Sequence, residues 1–551
     1  MSIPQSTPSK NLSLSTRSFG QSLGGSTTPS KLRYADSPLS TPSRVVRYTL
    51  PPQPSSAASA ATNASSTSTM PPTPSPVVSA YRGKQSSTAS AGRVLRRFYT
   101  EKKLMSDPPK ILPASFYEQF LSQQALNRKP NPIRSLFPLE KTPGLLSLVG
   151  GRPNPTTFPF TALSFTARAP TEDHALLGPE GGPRDDDVHV NISPEDLALG
   201  LAYTDTAGIA ELLGWLGKLQ ERMHGRKPSG EGWRISVGTG SQDLISKAIS
   251  ALVNPGDPVL VEHPTYPGVI PVLANVGCEL CEVETDAEGI STTSLCRVLE
   301  SWPEGKSKPR VLYTVPYGGN PTGMTASLVR RKEVLKLARE YNFIILEDDP
   351  YFYLYYGTAE RPPSYFSLDR EEPEVGRVVR FDSLSKILSA GLRFGFVSGP
   401  ERLLNVIDAH TGTSNLQSSS VVQVIALGLL KTWGCDGFFT HTRGVSAFYG
   451  QKRDVLEAAM NRHLKGLCEW VAPQAGLFFW FKLLVPNGDS EAVMRTKAVQ
   501  NGFLALPGTA CLPKGGKSAY VRVSFSILTA EEVEEAVKRL ANILKEARGE
   551  R

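Results

Sequence analysis

Between Phe381 and Arg393 the chain reads Phe-Asp-Ser-Leu-Ser-Lys-Ile-Leu-Ser-Ala-Gly-Leu-Arg. One lysine, Lys386, stands beside the hydroxyls of Ser383, Ser385 and Ser389, and Arg393 follows it by seven residues. Val378–Phe381 before this stretch and Phe394–Pro400 after it read as strands, so Lys386 falls in a short loop at a strand end, where α/β folds keep their chemistry. A lysine held by packing near another cation gives up its proton and becomes a nucleophilic amine. Hydroxyls together with a guanidinium hold a phosphate dianion. One small molecule needs both an amine partner and a phosphate clamp: pyridoxal 5′-phosphate. Taken alone, the loop also fits a solvated lysine in a serine-rich turn.

Four further stretches fit the same chemistry. Gly238-Thr239-Gly240-Ser241-Gln242 joins a strand to a helix that Ser241 would cap, and free N–H groups at a helix start bind anions. It lacks the G-x-G-x-x-G spacing, which disfavours a nicotinamide enzyme. Tyr266 could lay an aromatic face on a flat ring. Asn320-Pro321-Thr322-Gly323 offers an amide to a ring oxygen, and its Asn-Pro bond is a candidate cis peptide. Glu347-Asp348-Asp349-Pro350-Tyr351 ends a strand with acids and a phenol, and an acid beside a pyridine nitrogen keeps that ring electron-withdrawing. Each stretch alone could be a turn, a core tyrosine or a helix cap. Their joint occurrence, each at a strand end, argues against coincidence.

The elements that would position these residues alternate. Strands are expected at Trp233–Val237, Val259–Val261, Val311–Val315, Phe343–Leu346 and Val378–Phe381, short apolar runs of the kind a parallel sheet buries on both faces. Helices are expected at Ala207–His224, from Ser241 through the stripe Leu244, Ile245, Ala248, Ile249 and Leu252, at Tyr266–Asn275 and at Ala326–Glu340. The order is βαβ, hence an α/β fold with a mostly parallel sheet flanked by helices. Residues 170 to 197 are acidic and read as a surface insertion. After Pro400 come helices at Leu403–Ala409, Ser418–Lys431 and Tyr449–Leu464, a strand at Leu477–Leu483 and an amphipathic helix at Thr529–Ala547, a smaller α+β domain. The expected division is a tail over 1–105, an N-terminal arm and part of the small domain over 106–165, a large domain over 166–400, and connecting helices with the small domain over 401–551.

The net charge of +8 belongs to the tail. Residues 1–100 hold 11 Lys/Arg and one acid, leaving 49 basic and 51 acidic residues for the rest, a net −2, so nucleic acid is not an implied partner. The same hundred residues carry 23 Ser and 12 Pro and few large apolar side chains, which predicts disorder. Thr7-Pro8-Ser9-Lys10, Thr28-Pro29-Ser30-Lys31 and Thr41-Pro42-Ser43-Arg44 resemble proline-directed kinase sites, with plain low-complexity linker as the other reading. The Ser-rich, Arg-containing, acid-poor character also suits a mitochondrial transit peptide, so the expected compartment is cytoplasmic, with the mitochondrial matrix as alternative. Deleting residues 1–104 is expected to leave melting temperature and kcat/KM nearly unchanged; a large drop in either overturns the disorder reading. Six cysteines in 551 residues make no disulfide framework, the Cys278-x-x-Cys281 pair and seven scattered histidines give no metal site, and no run reaches the ~20 apolar residues of a membrane span.

From about residue 108 to 548 the chain resembles the fold-type I, class I/II aminotransferases dependent on pyridoxal 5′-phosphate, in the branch of aromatic-amino-acid and kynurenine/2-aminoadipate aminotransferases. The landmarks are Asn131-Pro132-Ile133-Arg134, Gly150-Gly151 with Pro153-Asn154-Pro155, Thr206-Ala207-Gly208-Ile209, Thr314-Val315-Pro316, Glu347-Asp348-Asp349-Pro350-Tyr351 and Arg522-Val523-Ser524-Phe525-Ser526. The resemblance implies an aspartate-aminotransferase-like fold with a seven-stranded type of large sheet. It implies Lys386 as the Schiff-base lysine, Asp348 at the pyridine nitrogen, and Asn320 and Tyr351 at the ring oxygen. It further implies Ser241, Gln242, Ser383, Ser385 and Arg393 at the phosphate, Tyr266 stacked on the ring, and Arg522 at the substrate α-carboxylate. Tyr203 would reach a neighbouring subunit's phosphate, making a homodimer with shared sites. Gly151, Arg134 and Phe478 would line the substrate side, with Arg134 meeting an acidic side chain and swinging away for an aromatic one. Arg152 departs from the pattern, where an apolar residue is usual. The implied reaction is transamination of aromatic amino acids, 2-aminoadipate or kynurenine, with 2-oxoglutarate as acceptor. The same fold hosts C–S lyases and decarboxylases, and also a transcription regulator that senses this cofactor.

Overall fold

The computed structural model describes residues 110–129, 131–140, 142–178, 182–228 and 230–550, and the readings made for the tail lie outside them. Eight strands form the large sheet: β1 (Trp233–Gly238), β2 (Pro258–His263), β3 (Glu279–Asp286), β4 (Gly289–Ile290), β5 (Val311–Thr314), β6 (Ile344–Asp348), β7 (Val378–Ser383) and β8 (Gly395–Pro400). Their order is β1-β8-β7-β6-β5-β2-β3-β4. The run β7-β6-β5-β2-β3 is parallel, β8 runs against both of its neighbours, and β4 hairpins onto β3. The sheet is thus mostly parallel with one strand beyond the expected seven, a two-residue edge. Every residue of β5, β6, β7 and β8 is buried, which accounts for their unalternating apolar sequences. Helices α1 (Ala210–His224), α2 (Ser241–Leu252), α3 (Ile270–Val276) and α4 (Leu328–Glu340) turn Leu212, Leu216, Leu244, Ile249, Leu273 and Val334 into the same core.

Beyond β8, helix α5 (Ser420–His463) carries Val424, Leu427, Leu430 and Phe438 into this core and Leu456, Ala459 and Met460 into a second one. The two helices expected here meet at Gly434, where φ 64° and ψ 179° leave the helical region, so the second begins well before Tyr449. Helix α5 is long and apolar enough to cross a membrane, but its apolar residues serve two protein cores in turn. The second core lies under an antiparallel sheet of β9 (Cys468–Trp470), β10 (Phe478–Leu483), β11 (Leu506–Pro507) and β12 (Tyr520–Ser524), ordered β9-β10-β12-β11. Helix α6 (Ala530–Ala547) closes it with Val533, Val537, Leu540 and Leu544, behind a capping box of Thr529 and Glu532.

Three expectations need correction. Ser241 does not cap α2: Gly240 does, at φ 83°, and Ser241 is the first helical residue. A side chain at position 240 would meet the Arg393 guanidinium at 2.6 Å, so glycine is needed there for space as well as for φ. The helix expected from Tyr266 starts at Ile270, because Pro267 and Gly268 hold the chain in a turn through Val269. The acidic stretch from 170 is not all insertion, since Val188–Asn191 pairs with Ser164–Ala167 and a helix follows at Pro194–Leu201. Cys281 is buried in β3 with its thiol pushed up by burial to about 12, and Cys278 precedes the strand.

Candidate active site

The parallel strands, and β1 on the far side of β8, end on one edge of the sheet, and the loops leaving β1, β2, β5, β6 and β7 carry the chemistry-bearing residues. Ser241 and Gln242 follow β1, Tyr266 follows β2, Asn320 follows β5, Asp348 ends β6 with Tyr351 three residues on, and Ser383, Ser385, Lys386 and Arg393 follow β7. From the small sheet come Phe478 and Arg522, on the face of β10 and β12 turned away from the second core. These twelve residues line one cavity of about 340 Å³, together with Val315, Pro350 and Ala390.

Lys386 sits in a tight turn closed by the Leu388 amide donating to the Leu384 carbonyl at 2.9 Å. The next carbonyl, of Ile387, accepts a hydrogen bond from His441 Nε2 at 2.7 Å, so α5 anchors the loop from behind. Burial, then the charge of Arg393, lowers the pKa of the Lys386 amine below its ordinary value, as a nucleophile requires. Arg393 itself takes a left-handed backbone, φ 48°, costly for a side chain with a Cβ, and its Nη1 lies 3.4 Å from Ser385 Oγ. At Gly395, where β8 begins, a Cβ would lie 2.7 Å from the Ser241 amide nitrogen. The start of α2, Ser383, Ser385 and Arg393 therefore converge on one spot, a cup of N–H, O–H and guanidinium donors suited to a phosphate.

Asp348 is buried and accepts from Tyr313 Oη at 2.6 Å through Oδ2, while its Oδ1 is buried with no partner. Burial pushes its carboxyl up to about 7, against the Tyr313 hydrogen bond and with the nearby Asp382 charge. Asp349 points the other way and pairs with Arg380 at 2.5 Å; Arg380 also binds Asp382 at 2.8 Å, all fully buried. Arg522 Nη1 donates to Asn320 Oδ1 at 2.6 Å and its guanidinium lies 4.2 Å from the Phe478 ring centroid. The Asn320–Pro321 bond is cis. Burial, then the Asp348 charge, raises the Tyr351 phenol well above its ordinary value, so it stays protonated as a donor.

Two residues expected on the substrate side, Arg134 and Gly151, stand elsewhere, and Tyr203, expected at a second copy's phosphate, is outside this chain's own cavity. Arg134 donates to the Thr204 carbonyl, to Thr206 Oγ1 at 2.8 Å and to Gln417 Oε1 at 2.9 Å, outside the cavity. Tyr203, 52% exposed, and Gly151, also exposed, lie outside it too. Arg152 pairs with Glu140 and covers Phe137. Sequence reasoning missed Tyr313 and Arg380. Tyr313 lies inside an apolar strand with nothing local to mark it, whereas a charged Arg380 within a fully buried strand demanded buried acids and could have been found.

The class I and II aminotransferase family model matches residues 200–540. Aminotransferase tdiD of Emericella nidulans is 42% identical over 76% of this chain and 93% of its own. The mitochondrial kynurenine/alpha-aminoadipate aminotransferase of Mus musculus is 36% identical over 78% of this chain and 99% of its own. Among solved structures, the aminotransferase Aro8 from Candida albicans superposes with a TM-score of 0.72 at 26% identity, covering 80% of this chain and all of that one.

Proposed function

Because the chain belongs to the class I and II aminotransferases, enzymes that use pyridoxal 5′-phosphate, we propose that it transfers the amino group of aromatic amino acids, kynurenine among them, to 2-oxoglutarate, with 2-aminoadipate as a further donor. The observation that carries the donor class is the pairing of Arg522 with Phe478 at one wall of the cavity, a carboxylate clamp beside an aromatic surface. The name of the mouse relative, which joins kynurenine with alpha-aminoadipate, supports the further donors.

The residues present fit the cofactor. Asp348 Oδ1 is a buried acceptor in need of a donor, which a protonated pyridine nitrogen would be. Ser241, Gln242, Ser383, Ser385 and Arg393 would hold the phosphate, Asn320 and Tyr351 the ring oxygen, Tyr266 a ring face, and Lys386 the aldehyde carbon. When bound, the cofactor supplies an electron sink for the substrate Cα. Arg522 would grip the donor's α-carboxylate bidentately and fix which Cα bond faces Lys386. Lys386 Nζ, its pKa lowered by burial, would take the Cα proton as base and give it back as acid. Tyr203, exposed in the single chain, would serve a second copy's phosphate cup in a homodimer.

The experiment is a panel of amino donors assayed with 2-oxoglutarate. Stoichiometric 2-oxo acid that depends on the acceptor is expected; product formed without an acceptor would assign a lyase or decarboxylase instead. Arg134 is the proposed side-chain sensor. Its three hydrogen-bond acceptors are neutral, a carbonyl, a hydroxyl and an amide, which a carboxylate would outcompete. Arg134→Ala is expected to lower kcat/KM for 2-aminoadipate by the ~1.5–3 kcal/mol of a charged hydrogen bond while sparing phenylalanine and tryptophan. Equal losses for both donor classes, or none for the dicarboxylate, remove Arg134 from specificity.

A further inference from the structure

A second cavity of about 600 Å³ opens to the surface and shares no lining residue with the active-site cavity. It is lined in part by Arg361, Arg370 and His224. His224 is 3% exposed, and its Nδ1 lies 2.8 Å from Ser364 Oγ. That oxygen accepts from the Ser367 amide at 3.0 Å, and Nδ1 is the one acceptor near its own proton among the described residues, so the hydroxyl is assigned as donor to Nδ1. Burial, and then the charges of Arg380, Arg361 and Arg226, hold the imidazole neutral, which leaves its own proton on Nε2. Nε2 is buried and has no partner.

Arg361 is the second unanswered group. Its guanidinium lies 3.8 Å from the Phe352 ring centroid and donates to the Phe352 carbonyl at 3.0 Å, but forms no ion pair among the described residues. Burial lowers its pKa. Arg370 donates to the Gly225 carbonyl at 2.6 Å and likewise has no carboxylate partner there. Of the acids at the rim, Glu371 is taken by Lys332 at 3.0 Å and Glu360 is exposed to water. A largely buried cation without an ion-pair partner in contact and a buried N–H without an acceptor are each costly, and one oxyanion answers both.

We propose that this cavity is an anion site that takes the carboxylate or phosphate group of a small metabolite between Arg361 and His224 Nε2. Its floor, Phe352, directly follows Tyr351 of the active-site cavity, so the two sites share a backbone segment but no ligand.

The test uses the holoenzyme, whose phosphate cup the cofactor already fills. Calorimetric titration at fixed ionic strength with inorganic phosphate, and separately with citrate, is expected to show one equivalent per chain for at least one of them. Phosphate alone identifies a phosphate ligand and citrate alone a carboxylate. In Arg361→Gln the dissociation constant is expected to rise about ten- to a hundredfold. No binding of either anion, or binding unaltered by the substitution, overturns the proposal. Should Arg361→Gln fail to fold, wild-type crystals soaked in selenate decide the matter: anomalous density between Arg361 and His224 is expected, and its absence there overturns the site.

Discussion

Lys386→Ala is expected to abolish transamination, by about 10⁴-fold or more, while the protein keeps its fold. The chemistry loses its covalent anchor and its proton carrier in one substitution. The fold loses almost nothing, because Lys386 makes no hydrogen bond or ion pair among the described residues and the turn around it is held by backbone and by His441. The amine is partly buried at a cost, which its lowered pKa reports, so its removal relieves desolvation. Circular dichroism and melting temperature should match the wild type. Borohydride reduction of the loaded wild-type enzyme should leave the cofactor on the peptide that contains Lys386. A label on another lysine, or turnover surviving in the alanine variant, would overturn the assignment.

How much of this could be read from the chain differs from element to element. The strands were legible because burial on both faces writes itself as unbroken apolar runs, and Asp348, Lys386 and Asn320 stand at a strand end or in the loop after one, where local sequence and local geometry agree. The start of α2 was misread because serine is a common cap; the reason for Gly240 is a guanidinium 153 positions further along the chain, invisible locally. Tyr313 was missed for the same reason, since its role is a hydrogen bond across adjacent strands to Asp348. The stretch expected as a gap between Lys431 and Tyr449 is helical apart from Gly434, and after that break the chain still turns Phe438 and Val445 into the first core before Leu456 enters the second. Arg134 and Gly151 were expected on the substrate side from motif resemblance, and within a single chain they lie outside the cavity.

Asp348→Asn and Asp349→Asn are adjacent isosteric changes and should do opposite things. Asp348 lines the cavity with Oδ1 unpartnered, so a neutral amide there removes the charge proposed to hold the ring nitrogen protonated. An unpaired buried charge costs about 3–5 kcal/mol, so kcat is expected to fall roughly 10²- to 10⁴-fold. Asp349 meets Arg380 at 2.5 Å, away from the cavity, and Arg380 keeps Asp382 at 2.8 Å, so Asp349→Asn should cost stability, on the order of 1–3 kcal/mol, and spare kcat. Stability without cofactor separates the two further. Burial pushes the Asp348 carboxyl up to about 7, while an unfolded chain has it near ~4. Between those values the folded state binds the extra proton, so this group's contribution to stability falls as pH rises through the window and is flat above it. The amide of the Asp348→Asn variant has no proton to lose, so the variant apoprotein should gain on wild type as pH rises from about 4 to about 7, by an amount on the order of a few kcal/mol. Urea unfolding of both apoproteins at pH 5 and pH 8 reads this directly. A stability difference that does not change with pH, or equal losses of kcat in the two asparagine variants, would place the functional carboxylate elsewhere.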